Sequence, residues 1–220
     1  ASFAEELYKV ENLAKLMGQQ HEQIVHLAYK TNISPPKSAK LENYTLSPAG
    51  ALFRKINSGS SLYFENLTLL NENQTRFLLF SEKMDSLFSE IVDNNDNICA
   101  AYFNSHFSMV RYFPYIDNVC EIMVPGTDVS DFNFYYEADS VHNPERSVVW
   151  TEIYVDPAQQ GWLVSCLYPV YLEDNLIGVA GLDIKLEAIA NPLHLLPIPW
   201  DGKAFIYDEN QNLLTNDPEI

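Results

Sequence analysis

Apolar positions open the chain at Phe3, Leu7, Val10, Ala14, Met17, Ile24 and Ala28, with His21 in the same series. Alternating steps of four and three place all eight on one stripe of a continuous helix of about eight turns. Leu13, Leu16, Val25 and Leu27 fall outside the stripe, giving the helix more apolar surface than one seam uses. Two uses are open: it packs on its own domain alone, or it serves both a sheet and a partner helix, in which case the heptad spacing predicts a weak parallel homodimer.

Residues 31 to 50 break the pattern with Pro35, Pro36, Pro48 and many Ser, Thr and Asn, and read as a connector. Ser47 and Pro48 look like an N-cap and first helical residue, predicting a short helix to Ile56 that ends at Asn57–Ser61. Helical spacing returns at Phe77, Phe80, Met84, Leu87, Phe88 and Ile91, predicting a second helix over 73–93. Then come runs that alternate or are rich in β-branched and aromatic residues: 98–103, 108–113, 148–154, 163–171 and 176–183. The breaks between them have turn chemistry, Asn104-Ser-His106, Asp156 to Gly161 and Glu173-Asp-Asn175, so the last three strands form an antiparallel meander. The layout predicts an α+β fold, a five-stranded antiparallel sheet covered by helices.

Composition narrows the function. Thirteen basic against thirty acidic residues give a formal charge of −17, which disfavours nucleic acid and anionic membrane surfaces as partners. No apolar run approaches the ~20 residues of a membrane span, and the start lacks a signal-peptide pattern. Cys99, Cys120 and Cys166 have neither an even count nor metal-ligand spacing and are expected as free thiols. Asn-X-Ser/Thr triplets at Asn32, Asn43, Asn66 and Asn73 would be glycosylated only in a eukaryotic secreted protein. No phosphate-binding glycine loop or nucleophile elbow is present, and His21 and His26 lie on different helix faces, so neither catalysis, cofactor nor metal is expected.

Thr151-Glu-Ile-Tyr-Val-Asp156, Gly161-Trp162, Pro169-Val-Tyr171 and Gly178-Val-Ala-Gly-Leu-Asp-Ile184 follow one another in an order that resembles the Cache (PDC, PAS-like) sensor domains of bacterial transmembrane receptors. Arg111-Tyr-Phe-Pro-Tyr115, Pro125-Gly-Thr-Asp128 and Phe134-Tyr-Tyr-Glu-Ala138 extend the resemblance upstream, and Pro199-Trp-Asp-Gly202 and Ala204-Phe-Ile-Tyr-Asp208 extend it downstream. It covers roughly residues 85–220. The resemblance implies a PAS-like sheet on a long N-terminal helix (1–30), a membrane-distal module (31–195), and the start of a truncated membrane-proximal module (196–220), with the membrane spans outside this fragment. It implies an extracytoplasmic or periplasmic sensor of a small molecule, with Trp150-to-Pro157 and Pro199-to-Gly202 most similar to histidine kinase inputs. A chemoreceptor or diguanylate cyclase input, or a non-sensing interaction domain, is the alternative.

In the amino-acid-sensing members, an Arg, an aromatic and a Tyr on a short helix, a strand Tyr and a last-strand Asp hold the ligand. The matching positions here are Asn133, Tyr135, Tyr136, Tyr154 and Asp183. Asn133 stands where the carboxylate-binding Arg would be, and a neutral amide forms no bidentate charge-assisted pair. An acid with aromatic walls suits a cationic amine instead, and the expected ligand is small, an amine or an amino-acid-like molecule. Each residue also has a plainer role: Asp183 as the N-cap of a following helix, the tyrosines as core aromatics, Arg111 as the partner of a nearby acid such as Asp117, Trp150 and Trp162 as packing residues, and Asp128 and Asp156 as turn formers. Ligand closure is expected to shift the packing of the long helix.

Overall fold

The computed structural model describes residues 3–65, 70–123, 126–156 and 161–186, with Ala188 and Tyr207. The downstream segments 199–202 and 204–208 that extend the resemblance, the connection after 186 and the Asn66 triplet lie outside these residues, apart from the two named.

Helix α1 runs Phe3–Lys30, with Glu5 and Glu6 in its first turn and Lys30 in its last, charges that complement the helix dipole. Its stripe is consumed by its own domain. Val10, Ala14, Met17, His21, Ile24 and Ala28 are buried, and Val25 with them, in a helix that packs on β8, β9 and α2. Gly18 lets the Tyr168 ring lie against the helix, where a Cβ would sit 2.1 Å from a ring carbon. The homodimer expected through this stripe is therefore corrected: an apolar seam sealed on the sheet is not available to a second helix. No helix among the described residues is long and apolar enough to cross a membrane.

The short helix expected from Ser47 to Ile56 is absent. In its place β1 (Tyr44–Leu46) and β2 (Leu52–Arg54) form an antiparallel hairpin. Ser47 Oγ accepts from Ala51 N at 3.1 Å, and Gly50 takes φ 91°, so the Ser-Pro pair opens a turn and not a helix. β3 (Ser61–Phe64), buried throughout, follows. The second helix is present but interrupted: α2 (Glu72–Phe80) is capped by a reciprocal Asn71/Gln74 box, and a 3-10 turn at Ser81–Met84 re-aims the chain into α3 (Asp85–Asp93).

β4 (Ile98–Ser105), β5 (Val110–Phe113), β8 (Trp162–Leu172) and β9 (Asn175–Lys185) realise four of the five expected strands. The fifth, 148–154, is split into β6 (Val149–Trp150) and β7 (Tyr154–Val155), both paired with β8. Among the described residues one antiparallel sheet runs β1-β2-β3-β5-β4-β9-β8-β6, with β7 beside β8. The α+β class stands, with a wider sheet than the five strands expected.

Strand alternation sorts the side chains onto two faces. Ala101, Phe103, Leu182, Ile184, Val164 and Cys166 join α1, α2 and α3 in the larger core. Tyr102, Val110, Leu167 and Val179 point the other way. That second face is covered by the segment between β5 and β6, which contains α4 (Val119–Ile122) and α5 (Asn133–Tyr136).

Arg111 belongs to the helical face. Its fully buried guanidinium donates to Ser81 Oγ (2.9 Å), Ser60 Oγ (3.0 Å), Tyr44 OH (3.1 Å) and Leu78 O (3.1 Å). Its acidic neighbour is Asp85 at 3.9 Å, not Asp117, and Asp85 also pairs with Arg54. Trp150 donates its indole N–H to Glu11 of α1 at 2.9 Å, whereas Trp162 is 54% exposed and packs less than expected. The three cysteines are free.

Candidate ligand-binding site

A cavity of about 310 Å³ lies between the second face of the sheet and the covering segment. Its floor is made by every second residue of the strands: Tyr102 and Asn104 of β4, Val110 and Tyr112 of β5, and Asp183 of β9. Tyr154 of β7 and Asp156 close one side, and the roof is apolar, with Ile116, Val119, Ile122, Met123, Val129, Phe132 and Phe134. No Lys, Arg or His lines it among the described residues.

Asp183 is the centre of its chemistry. It sits inside β9 and directly opposite Ser165 of β8, so it caps no helix. Ser165 Oγ donates to Asp183 Oδ1 at 2.6 Å, and Tyr154 OH lies 3.2 Å from the same oxygen and 2.7 Å from Ser165 Oγ. Burial pushes the carboxyl up to about 7; the Ser165 bond opposes this and the negative charge of Asp156 adds to it. Burial and the nearby carboxylate also hold the Tyr154 and Tyr112 hydroxyls far above the ordinary tyrosine range, as uncharged hydrogen-bonding groups. The buried Tyr102 hydroxyl lies beside Ser165 and Asp183. Its ring lies over Gly181, where a Cβ would meet it at 2.2 Å.

Of the five residues singled out from the sequence, the structure brings Tyr154 and Asp183 together in the cavity. The other three lie on α5 and do not line it. Asn133 donates its side-chain N–H to Glu152 O at 3.3 Å, Tyr135 is buried in the packing between sheet and cover, and Tyr136 is 36% exposed beside His142. Their neighbours Phe132 and Phe134 face the cavity instead, stacked on each other at 4.9 Å, with Phe134 5.6 Å from the Tyr154 ring. A one-turn helix turns its side chains by ~100° per residue, so neighbouring positions face different ways.

Asp156, expected as a turn former, is buried and lines the cavity. It does close the turn as well, its N–H donating to Gly161 O at 2.9 Å. Tyr102, Tyr112 and Ser165 were also not anticipated. The signal was the period of two: Tyr154 and Asp156 share a strand face, as do Tyr102 and Asn104.

Residues 84–191, just under half of the chain, match the family model of the methyl-accepting chemotaxis protein-like first PDC sensor domain. The methyl-accepting chemotaxis protein McpC of Bacillus subtilis (strain 168) is 29% identical over 127 residues, which are 58% of this chain and 18% of that protein. Among solved structures, the ligand-binding domain of the Pseudomonas aeruginosa PAO1 amino acid chemoreceptor PctB, in complex with L-Arg, superposes with a TM-score of 0.50 at 18% identity. The superposition covers 61% of this chain and 53% of that one, and what it shows is a common fold. The Campylobacter jejuni chemoreceptor Tlp3, with L-norvaline, gives 0.48 at 13% identity, over 97% of this chain and 70% of that one. This chain thus spans about half the length of the PctB domain and under a fifth of McpC. Over the matched residues it has the pattern of a Cache/PDC-type sensor domain.

Proposed function

We propose that this chain is the extracytoplasmic sensing part of a chemoreceptor, and that its cavity takes a small amine whose ammonium group is bound by Asp183 and Asp156. The observation that carries the reading is the chemistry of the cavity wall: two carboxylates, a ring of tyrosines and no basic side chain among the described lining residues. A cation entering it gains a charge-assisted hydrogen bond and aromatic faces, while a carboxylate would meet only like charge. The similarity to chemotaxis proteins favours a chemoreceptor over a histidine kinase or a cyclase.

Residues 31–195 serve as the membrane-distal module and 196–220 begin the next. Tyr154 and Asp183 contact the ligand directly, and Asn133, Tyr135 and Tyr136 act on it by anchoring α5, so that Phe132 and Phe134 close over the site. The signal leaves through α1. One sheet thickness separates the two sites: Tyr102 and Asn104 line the cavity, while Phe103 between them stacks on His21 of α1 at 4.3 Å. Ligand-driven movement of β4 then changes helix packing, provided the two states bind the amine with different affinity.

Calorimetry and thermal shift with isoamylamine, L-leucine and 4-methylpentanoate test this. The amine should raise the melting temperature, with about 2.7 kcal/mol of stabilisation at 100 times its dissociation constant. The carboxylate should not, and Asp183→Asn should weaken amine binding by about 1.5–3 kcal/mol. Equal binding of the carboxylate, or undiminished amine binding by the variant, refutes the reading.

A further inference from the structure

A buried acid in a cavity without a base has two ways to exist. It is ionised and paired with a cation from outside, or it carries a proton. We propose that the ligand-free cavity holds a proton on Asp183, beside Asp156, and that an incoming ammonium group displaces it, so that acidity competes with the ligand at the sensor itself. This rests on the amine reading of the site and adds its regulation.

The geometry supplies the argument. Asp183 is 2% exposed and lies at the middle of the sheet, between Ala100 of β4 and Ser165 of β8. The groups facing it are a hydroxyl from Ser165, hydroxyls from Tyr154, Tyr102 and Tyr112, the Cys99 thiol, which donates to the Asp183 backbone carbonyl at 3.3 Å, and one charge of like sign at Asp156. The thiol is itself pushed up to about 12 by burial and stays neutral. The nearest cation along β9 is Lys185 at the strand's exposed end, two residues away, and the described residues of the covering segment contribute no charged side chain to the lining. Two hydroxyls directed at one oxygen stabilise the anion, but they do not replace a counter-ion, and the carboxyl accordingly sits near neutrality.

The exchange balances simply. The O–H bond of the Asp183 carboxylic acid breaks, its proton passes to solvent, and an N–H of the ammonium donates to the carboxylate left behind. The ligand remains a cation throughout, and nothing is oxidised or reduced.

Isothermal titration of the 220-residue chain with isoamylamine, in buffers of differing protonation enthalpy, counts the released protons. Release of about one proton per amine is expected near pH 6, falling towards zero by about pH 8.5, with affinity at pH 5.5 roughly 30-fold below its plateau. Asp156→Asn should move the whole dependence to lower pH, because it removes the like charge. Buffer-independent enthalpy with a flat affinity between pH 5.5 and 8 overturns the proposal. If isoamylamine binds at no pH, the amine reading falls, and the proton site is judged separately by the carbon-13 titration of the Asp183 carboxyl in the ligand-free protein. A midpoint near neutrality, lost in Asp183→Asn, upholds it, and a midpoint below about 5 overturns it.

Discussion

Replacing Arg111 with Met tests whether the polar cluster on the helical face holds the fold together or serves the ligand. The guanidinium is fully buried and donates four hydrogen bonds, to Ser81, Ser60, Tyr44 and Leu78. Three of these acceptors are hydroxyls already donating elsewhere: Ser81 to Leu78 O at 2.8 Å, Ser60 to Asp85 at 2.5 Å and Tyr44 to Glu82 at 2.6 Å. Methionine fills similar volume but offers them nothing, and it leaves Arg54 to balance Asp85 and Glu82. Breaking a buried charge network from one side costs about 3–5 kcal/mol, and that is the expected loss. Arg111→Lys should recover only part of it, since an ammonium cannot reach four acceptors spread over α2, β1 and the start of β3. Denaturant unfolding followed by tryptophan fluorescence measures the change, with an unchanged m-value required for a direct comparison. Because Arg111 lies on the sheet face opposite the cavity, amine affinity of the folded variant should be unaltered. A loss under about 1 kcal/mol, or a selective loss of ligand binding with stability intact, would refute the structural role.

Met17→Glu should destabilise the domain severely, by upwards of about 3 kcal/mol, because it buries an unpaired carboxylate in the core beneath α1; a soluble, folded variant with unchanged melting temperature would contradict the packing. Asp183 should make the ligand-free protein less stable as pH rises. Its folded value lies above the ordinary 3.8, so its contribution is fully present below about pH 4 and is lost as pH climbs through about 7. Over that window Asp183→Asn should gain on the parent by up to roughly 4 kcal/mol, measured by urea unfolding at each pH, and parallel profiles would count against the buried, unpaired acid. Gly181→Ala should force the Tyr102 ring towards the cavity, costing about 1–3 kcal/mol of stability and weakening the amine; an additive-free melting temperature equal to the parent's would show that the ring moves freely.

The amino-acid order determined the elements whose patterns are long. Seven apolar positions and His21 repeated through Phe3–Ala28 specify an amphipathic helix regardless of context, and the two long strands of the meander, 163–171 and 176–183, are marked by β-branched residues and by Gly, Asn and Asp turns. Short elements were not legible. β1 and β2 have three residues each, too few to show a period of two, and Ser47-Pro48 is equally good chemistry for a turn or a helix start. Only the tertiary contact of β2 with β3 decides between them.

The same limit divides the site. Tyr154 and Asp183 were reached through the family resemblance and the strands keep them on the cavity face, whereas at the one-turn helix α5 and its N-cap the fold chose Phe134 and Phe132 over Tyr135 and Tyr136. What partner the stripe of α1 would find was also left open by sequence, since a heptad seam satisfies a second helix or a sheet equally well, and the sheet of its own chain took it. The charge of Asp183 belongs wholly to the folded state: in the unfolded chain it is an ordinary carboxylate, and only burial between β4 and β8, beside Asp156 and with no base among the described residues lining the cavity, makes it an acid poised near neutrality.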